Sequence, residues 1–290
     1  MMRVACQRSF YKKLLTSAFA FLLYLTGATE AYEIMSWQEY KSYSYSWPYS
    51  YRINTSHGGL LYFGVEHSYR PQAYQFSQIE TLWKQFRPEI AFNEGNTPPI
   101  GRINKKRSIK KYGEVGLIVF LSKQDTAHSI HLESLDPKFE EEVAFLRRRY
   151  SGEQLKVFYV LRQKSTYDRM SKPAVSLNEY LDDFIRNELR ILDAPPNSIT
   201  ELQSIYAKYF PDKGLYRRAT YSLVDPAPDP TVKETVFNEI SRASIEYRDQ
   251  FMIGQILRFV CQKRVLAVVG ATHVVMQEPA LRALLPEKCS

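Results

Sequence analysis

The chain has 290 residues, enough for one large domain with a sizeable core, and its 44% apolar and 24% charged content is that of an ordinary globular protein rather than a disordered one. The formal charge of +8 is not spread evenly, because residues 1–31 hold four basic side chains and one acidic one. Without that segment 35 basic residues face 30 acidic ones; so mild an excess does not indicate nucleic acid and fits contact with anionic lipid or polysaccharide at a cell envelope better.

Arg3, Arg8, Lys12 and Lys13 precede Leu14–Ala28, an uncharged, mostly apolar run of fifteen residues followed by small side chains. This order describes a secretory signal peptide with cleavage near Ala28 or Ala31. As a membrane anchor the run falls short of the roughly 20 residues needed to span hydrocarbon. The reading is an exported protein, periplasmic or secreted, with residues 32–290 as a single α/β domain. Cys6 would leave with the signal, and Cys261 and Cys289 remain as a pair that an oxidising compartment permits to bond or leaves as two thiols.

In the mature segment, Tyr43–Tyr51 alternates aromatic with small residues, so it reads as an edge strand or an irregular lead-in, with Pro48 arguing against a central position. His57-Gly58-Gly59 is a turn. Leu60–Phe63 is a buried strand that stops at Gly64, and His67 follows three residues later with Glu66 before it. Gln75–Phe86 carries apolar residues at helical spacing, Arg87-Pro88 ends it, and Glu89–Phe92 is a second strand closing on Asn93-Glu94-Gly95. A strand–helix–strand unit makes its strands parallel, which puts His67 and Glu94 on the same edge of the sheet.

Arg102–Lys111 has six basic residues in ten and reads as a solvated loop, Glu114–Ser122 as a helix, and Ser129–Glu133 as a third strand with His131 and Glu133 on one face. From about residue 137 to 262 the pattern is mainly helical, with amphipathic stretches at Phe139–Tyr150, Leu177–Leu192 and Ile199–Phe210, and with Ser176 and Ser198 as N-caps. A long helix, Val232–Gln262, interrupts its apolar face at Tyr247-Arg248-Asp249-Gln250. The last strand, Val265–Val269, runs to Gly270, and His273 again stands three residues beyond the glycine.

The fold expected from these elements is α/β: a mostly parallel sheet flanked by helices, with a large helical insertion between the third and last core strands. Ligands of such sheets bind beyond the carboxyl ends of the strands. Two G-x-x-H segments in a chain with five histidines therefore mark a site. The two segments, the acidic residue closing Phe92-Asn93-Glu94-Gly95 and the arginine of Glu246-Tyr247-Arg248-Asp249 together resemble the TraB/GumN family, which is related to Tiki metalloproteases, ChaN-type haem-binding proteins and erythromycin esterases. The resemblance implies a hydrolytic site of Glu66, His67, Glu94, Arg248 and His273. It also implies a divalent metal (zinc, manganese, cobalt or iron) held by His67, Glu94, Glu133 and His273, acting on a peptide or a small ester or amide. Imidazole with carboxylate is the donor set such ions take. Its other branches imply haem binding, or metal-free ester cleavage with histidine as base. Neither H-E-x-x-H nor G-x-S-x-G occurs, which disfavours those hydrolase classes.

Overall fold

A computed structural model of the chain describes residues 31–95, 98, 104–125, 129–170 and 175–289. The predicted signal peptide, residues 1–31, lies outside the described residues except for Ala31. Residues Glu33–Ser290 form one compact unit, and among the described residues no helix is long and apolar enough to cross a membrane.

The unit is a mixed α/β fold on a five-stranded, mostly parallel sheet. Strands β1 (Ser50–Asn54), β2 (Gly59–Val65), β3 (Ile90–Asn93), β4 (His131–Ser134) and β5 (Arg264–Gly270) lie in the order β1-β2-β5-β3-β4, and only β1 runs antiparallel to its neighbour. All seven residues of β2 are buried, as are the five central residues of β5, which is why both read as unbroken aliphatic runs. The C-terminal strand β5 inserts between β2 and β3, so the two G-x-x-H strands pair directly, with Gly64 opposite Val269 and Val65 opposite Gly270.

Leu61, Phe63 and Val65 of β2, with Leu266 and Val268 of β5, point to one face of the sheet. There they pack against α2 (Tyr74–Phe86) and α3 (Lys105–Gln124) through Phe76, Ile79, Trp83, Ile109, Leu117 and Ile118. The other face is covered by α8 (Val236–Leu257) and α9 (Ala271–Lys288), where Tyr62 reaches Met252 and Gln277. Between β4 and β5 run α4 (Phe139–Leu146), α5 (Gly152–Asp168), α6 (Leu177–Asn187), α7 (Ile199–Tyr209) and α8, which share a second apolar core. Ser176 and Ser198 cap α6 and α7 by accepting from the backbone N–H groups of Glu179 and Glu201.

Several local expectations are corrected. The basic run is not a loop: from Lys105 it is the first half of α3, capped by Asn104, whose side chain accepts from the Arg107 N–H at 2.9 Å. Lys105, Lys106 and Arg107 stay exposed while Ser108 and Ile109 go inward, so charge density concealed a one-sided helix. Gly113 (φ 58°) kinks α3 and lets the chain pass Ser68 O, which a Cβ there would approach to 3.0 Å. Helix α5 shows no amphipathic period because Leu155–Leu161 is buried throughout, Lys156 included. The stretch expected as one helix over Phe139–Tyr150 ends at Leu146, and the long helix begins at Val236 rather than Val232. The aromatic lead-in, Tyr43–Tyr51, follows a short helix, α1 (Trp37–Ser42), as an irregular stretch whose last two residues open the edge strand β1.

Cys261 and Cys289 form a disulfide with Cα atoms 4.9 Å apart, tying the end of α9 to the segment that enters β5.

Candidate active site

Three strand ends and two helices meet at one carboxylate. Glu94 follows β3 directly, and its side chain is only 11% exposed. Its Oε1 accepts from Arg248 Nη2 at 2.7 Å and its Oε2 from the Gly270 N–H at 2.6 Å. That N–H belongs to the N-cap of α9, so the positive end of a helix faces the carboxylate. Burial pushes the Glu94 carboxyl up, but the charges of Arg248, His67 and His273 and the Gly270 N–H outweigh it and hold the group well below the usual carboxylate range. Arg248, on α8 and 7% exposed, also donates to Asp136 Oδ1 from Nη2 at 2.5 Å and from Nε at 3.1 Å. These acidic partners keep the guanidinium charged despite its burial.

The two histidines approach Glu94 from opposite sides. His67 Nε2 lies 3.8 Å from Oε2, and His273 Nε2, in the first turn of α9, lies 3.7 Å from Oε1. Each ring is held at its other nitrogen. His67 Nδ1 is 2.5 Å from Glu114 Oε1, just beyond the Gly113 kink, and His273 Nδ1 is 2.6 Å from Asp249 Oδ1.

A relay fixes the His273 side. Tyr62 OH donates to Gln277 Oε1 at 2.9 Å, which turns the Gln277 amide so that its Nε2 donates to Asp249 Oδ1 at 2.6 Å. Asp249 Oδ1 is therefore an acceptor, His273 Nδ1 carries the hydrogen, and Nε2 is left to face Glu94. Asp249 is fully buried and its Oδ2 has no partner among the described residues. A buried acceptor left unmatched costs roughly 1–3 kcal/mol, so the carboxylate is not there for stability.

Burial works against protonating His67, but Glu94 and Glu114 outweigh it and raise its pKa from 6.5 to about 9, with Arg169 opposing. The ring is then an imidazolium at neutral pH. Because the folded value lies above the unfolded one, its contribution to stability is full below about pH 6.5 and is lost as pH rises through about 9. Ring-proton NMR titration is expected to place the His67 midpoint well above that of a free histidine. A midpoint near 6.5 would mean that the two carboxylates do not act on it.

Two adjoining cavities open over this cluster. One of about 700 Å³ is lined by His67, Glu94, Glu114, Asp136 and Arg248. The other, of about 380 Å³, is lined by Glu66, His67, Glu94, Arg248, Gly270 and His273. Gly270 keeps the shared floor open: a Cβ there would stand 3.2 Å from Glu94 Oε2 and 3.4 Å from His67 Nε2.

Of the residues expected at the site, His67, Glu94, Arg248 and His273 come together. Glu66 is at the rim of the smaller cavity, where its backbone N–H and C=O are clamped by the Gln75 amide at 3.1 and 2.7 Å. Glu133 does not join them. It sits within β4, opposite Phe92, with its side chain on His131, and lines neither cavity. Asp136, past the strand end, faces Arg248 instead. Glu114, Asp136 and Asp249 are the residues that sequence reasoning missed, and only Asp249, next to Arg248 in a polar break, left a sequence signal.

The expected metal set of His67, Glu94, Glu133 and His273 is thus not assembled. Among the described residues no group of three or more His, Cys, Asp or Glu side chains is arranged to hold an ion. No protein-family model, curated protein or solved structure matches the chain.

Proposed function

We propose that the chain is an exported hydrolase of carboxylic esters or amides, peptides included, working by acid–base catalysis at His67, Glu94, Arg248 and His273. One observation carries the reading: two imidazoles, each held at Nδ1 by its own acidic side chain, turn Nε2 to opposite oxygens of one buried carboxylate. Such an arrangement is costly as core and is what paired proton transfer requires.

His273 Nε2 takes a proton from water as the oxygen attacks the substrate carbonyl. The resulting oxyanion is balanced by the His67 imidazolium and Arg248 at the cavity floor. Collapse of the tetrahedral intermediate breaks the bond to the leaving oxygen or nitrogen, which takes the proton from His67 Nε2. The proton on His273 returns through solvent to His67. Glu94 remains ionised between the two Nε2 atoms, while Glu114 and Asp249 orient the rings. The helices between β4 and β5, about residues 137–262, are read as an insertion that brings Arg248, Asp249 and the cavity walls to the sheet edge. The tripartite N-terminus supports export, and the resemblance to the TraB/GumN family and erythromycin esterases supports hydrolysis.

A metal-dependent form of this reading has one observation in its favour: histidines that bind metal are held at their second nitrogen by carboxylates, as both are here. His67, Glu94 and His273 would then hold the ion, which would supply an activated water, but the three are not arranged to hold one, both Glu94 oxygens already accept hydrogen bonds, and no step above depends on it.

The test is hydrolysis of a panel of aryl esters and dipeptides before and after exhaustive chelation, with elemental analysis of the same sample. Turnover is expected to survive chelation unchanged. Loss of turnover with restoration by zinc or manganese would favour the metal form, and a Soret band on haem titration without hydrolysis would favour the ChaN-type reading.

A further inference from the structure

The charges that line the smaller cavity do not cancel. Arg248 is committed to Glu94 and Asp136, and Glu94 to Arg248. Besides His67 and His273, what remains there is Glu66 against Arg162 and Arg169, which with Thr166 also line the larger cavity, where Glu140, Glu142 and Glu188 stand against Lys138. Arg162 and Thr166 belong to α5, and Arg169, its C-cap, keeps helical dihedrals (φ −80°, ψ −13°). Positions 162, 166 and 169 are spaced i, i+4 and i+7, so they share one face of the helix over two turns.

Among the described residues both arginines have only neutral partners. Arg162 reaches Ser244 Oγ at 3.3 Å and lies 5.5 Å over the Phe158 ring, and Arg169 reaches Thr166 Oγ1 at 3.3 Å. Among the described residues no carboxylate comes within 4 Å of either. Lys263 and Arg264, by contrast, share Glu89. The wall of the same cavity carries Tyr45, Trp47 and Tyr221, the last two nearly half exposed. The cavity therefore offers two unmatched planar forks beside an aromatic surface, next to the hydrolytic floor.

We propose that Arg162 and Arg169 form an anion-binding subsite, which holds an oxyanion group of the substrate (carboxylate or phosphate) while its apolar body rests on Trp47 and Tyr221. The guanidinium fork matches either group in a bidentate way. Arg162, Arg169, His67 and His273 line the same cavity, so one ligand carrying both such a group and a scissile ester or amide would face the arginines and the histidines together. That last step rests on the hydrolase reading; the binding itself does not.

The experiment measures binding by calorimetry of N-acetylphenylalanine, its neutral amide, and phenyl phosphate to the full chain, and then to the Arg162→Gln/Arg169→Gln variant. The carboxylate is expected to bind at least about tenfold tighter than the amide, and the variant is expected to bring the two to parity while leaving the amide unchanged. Tightest binding by phenyl phosphate, equally abolished in the variant, supports the subsite with phosphate as its natural anion. Equal binding of acid and amide, a preference that survives in the variant, or no anion binding up to about 10 mM overturns it. Arg169→Gln alone, at an exposed position, repeats the comparison if the double variant does not fold. Binding without hydrolysis of any ester or peptide would leave the subsite standing and sink the hydrolase reading.

Discussion

Replacing His273 by alanine is expected to lower kcat/KM by about 10²- to 10⁴-fold, the range that one general base contributes, with the fold intact. The ring sits at the start of α9 and touches the site rather than the main core, and its removal leaves Asp249 still bound to Gln277. Asp249→Asn is expected to act almost as strongly through geometry alone. The new side chain would bring an amide, itself half donor, to the point where His273 Nδ1–H and Gln277 Nε2–H now both donate. The relay from Tyr62 would then lose its acceptor, or the ring would turn over. Steady-state rates with circular dichroism on the same samples check both. A variant at either position with full activity would remove His273 from the chemistry.

Arg248→Met is expected to be the most destabilising single change in the site, by about 3–5 kcal/mol, because it leaves acidic groups without the cation that balances them in a buried setting. Glu94 is 11% and Asp136 28% exposed, and the guanidinium is the only cationic side chain of a lysine or arginine within salt-bridge distance of them among the described residues. Held well below its usual range in the native chain, Glu94 is expected to lose that depression in the variant. Stability that the wild type keeps above the ordinary carboxylate range and loses on acidification would then be partly missing at neutral pH. Urea unfolding at pH 7 and near pH 2, well below the ordinary carboxylate range, measures this; equal losses at both pH values would mean that packing, not charge, is what Arg248 supplies.

The parts of this arrangement that a reader of the sequence can see are those with local causes. Strands β2 and β5 show themselves because strands buried on both faces must be aliphatic throughout, and each run is closed by a glycine with histidine three residues on. Glu94 follows from the strand–helix–strand topology, and Arg248 from a charged break in an apolar helix face. The partners that orient these groups have no such cause. Glu114 stands 47 residues from His67, Asp249 24 from His273, and Asp136 112 from Arg248. Each pairing is made by the sheet order and by the kink at Gly113, neither of which leaves a periodicity. Glu133 illustrates the converse: the family resemblance implied it as a metal ligand, but the alternation of β4 keeps its side chain on the face it shares with His131. Helix α5, with Arg162 and the cavity wall, was hidden because a segment buried all round has no polar face to set its period.

The central claim is that His67 and His273 act as one unit on a single substrate carbonyl, and a double-mutant cycle tests it most directly. Groups that share one step show strongly non-additive losses. kcat/KM on one ester is to be measured for the wild type, His67→Gln, His273→Ala and the double variant. The account predicts that each single change removes most of the activity and that the double variant is no worse than the poorer single one. Losses that multiply, or a single variant that keeps wild-type turnover, would contradict it.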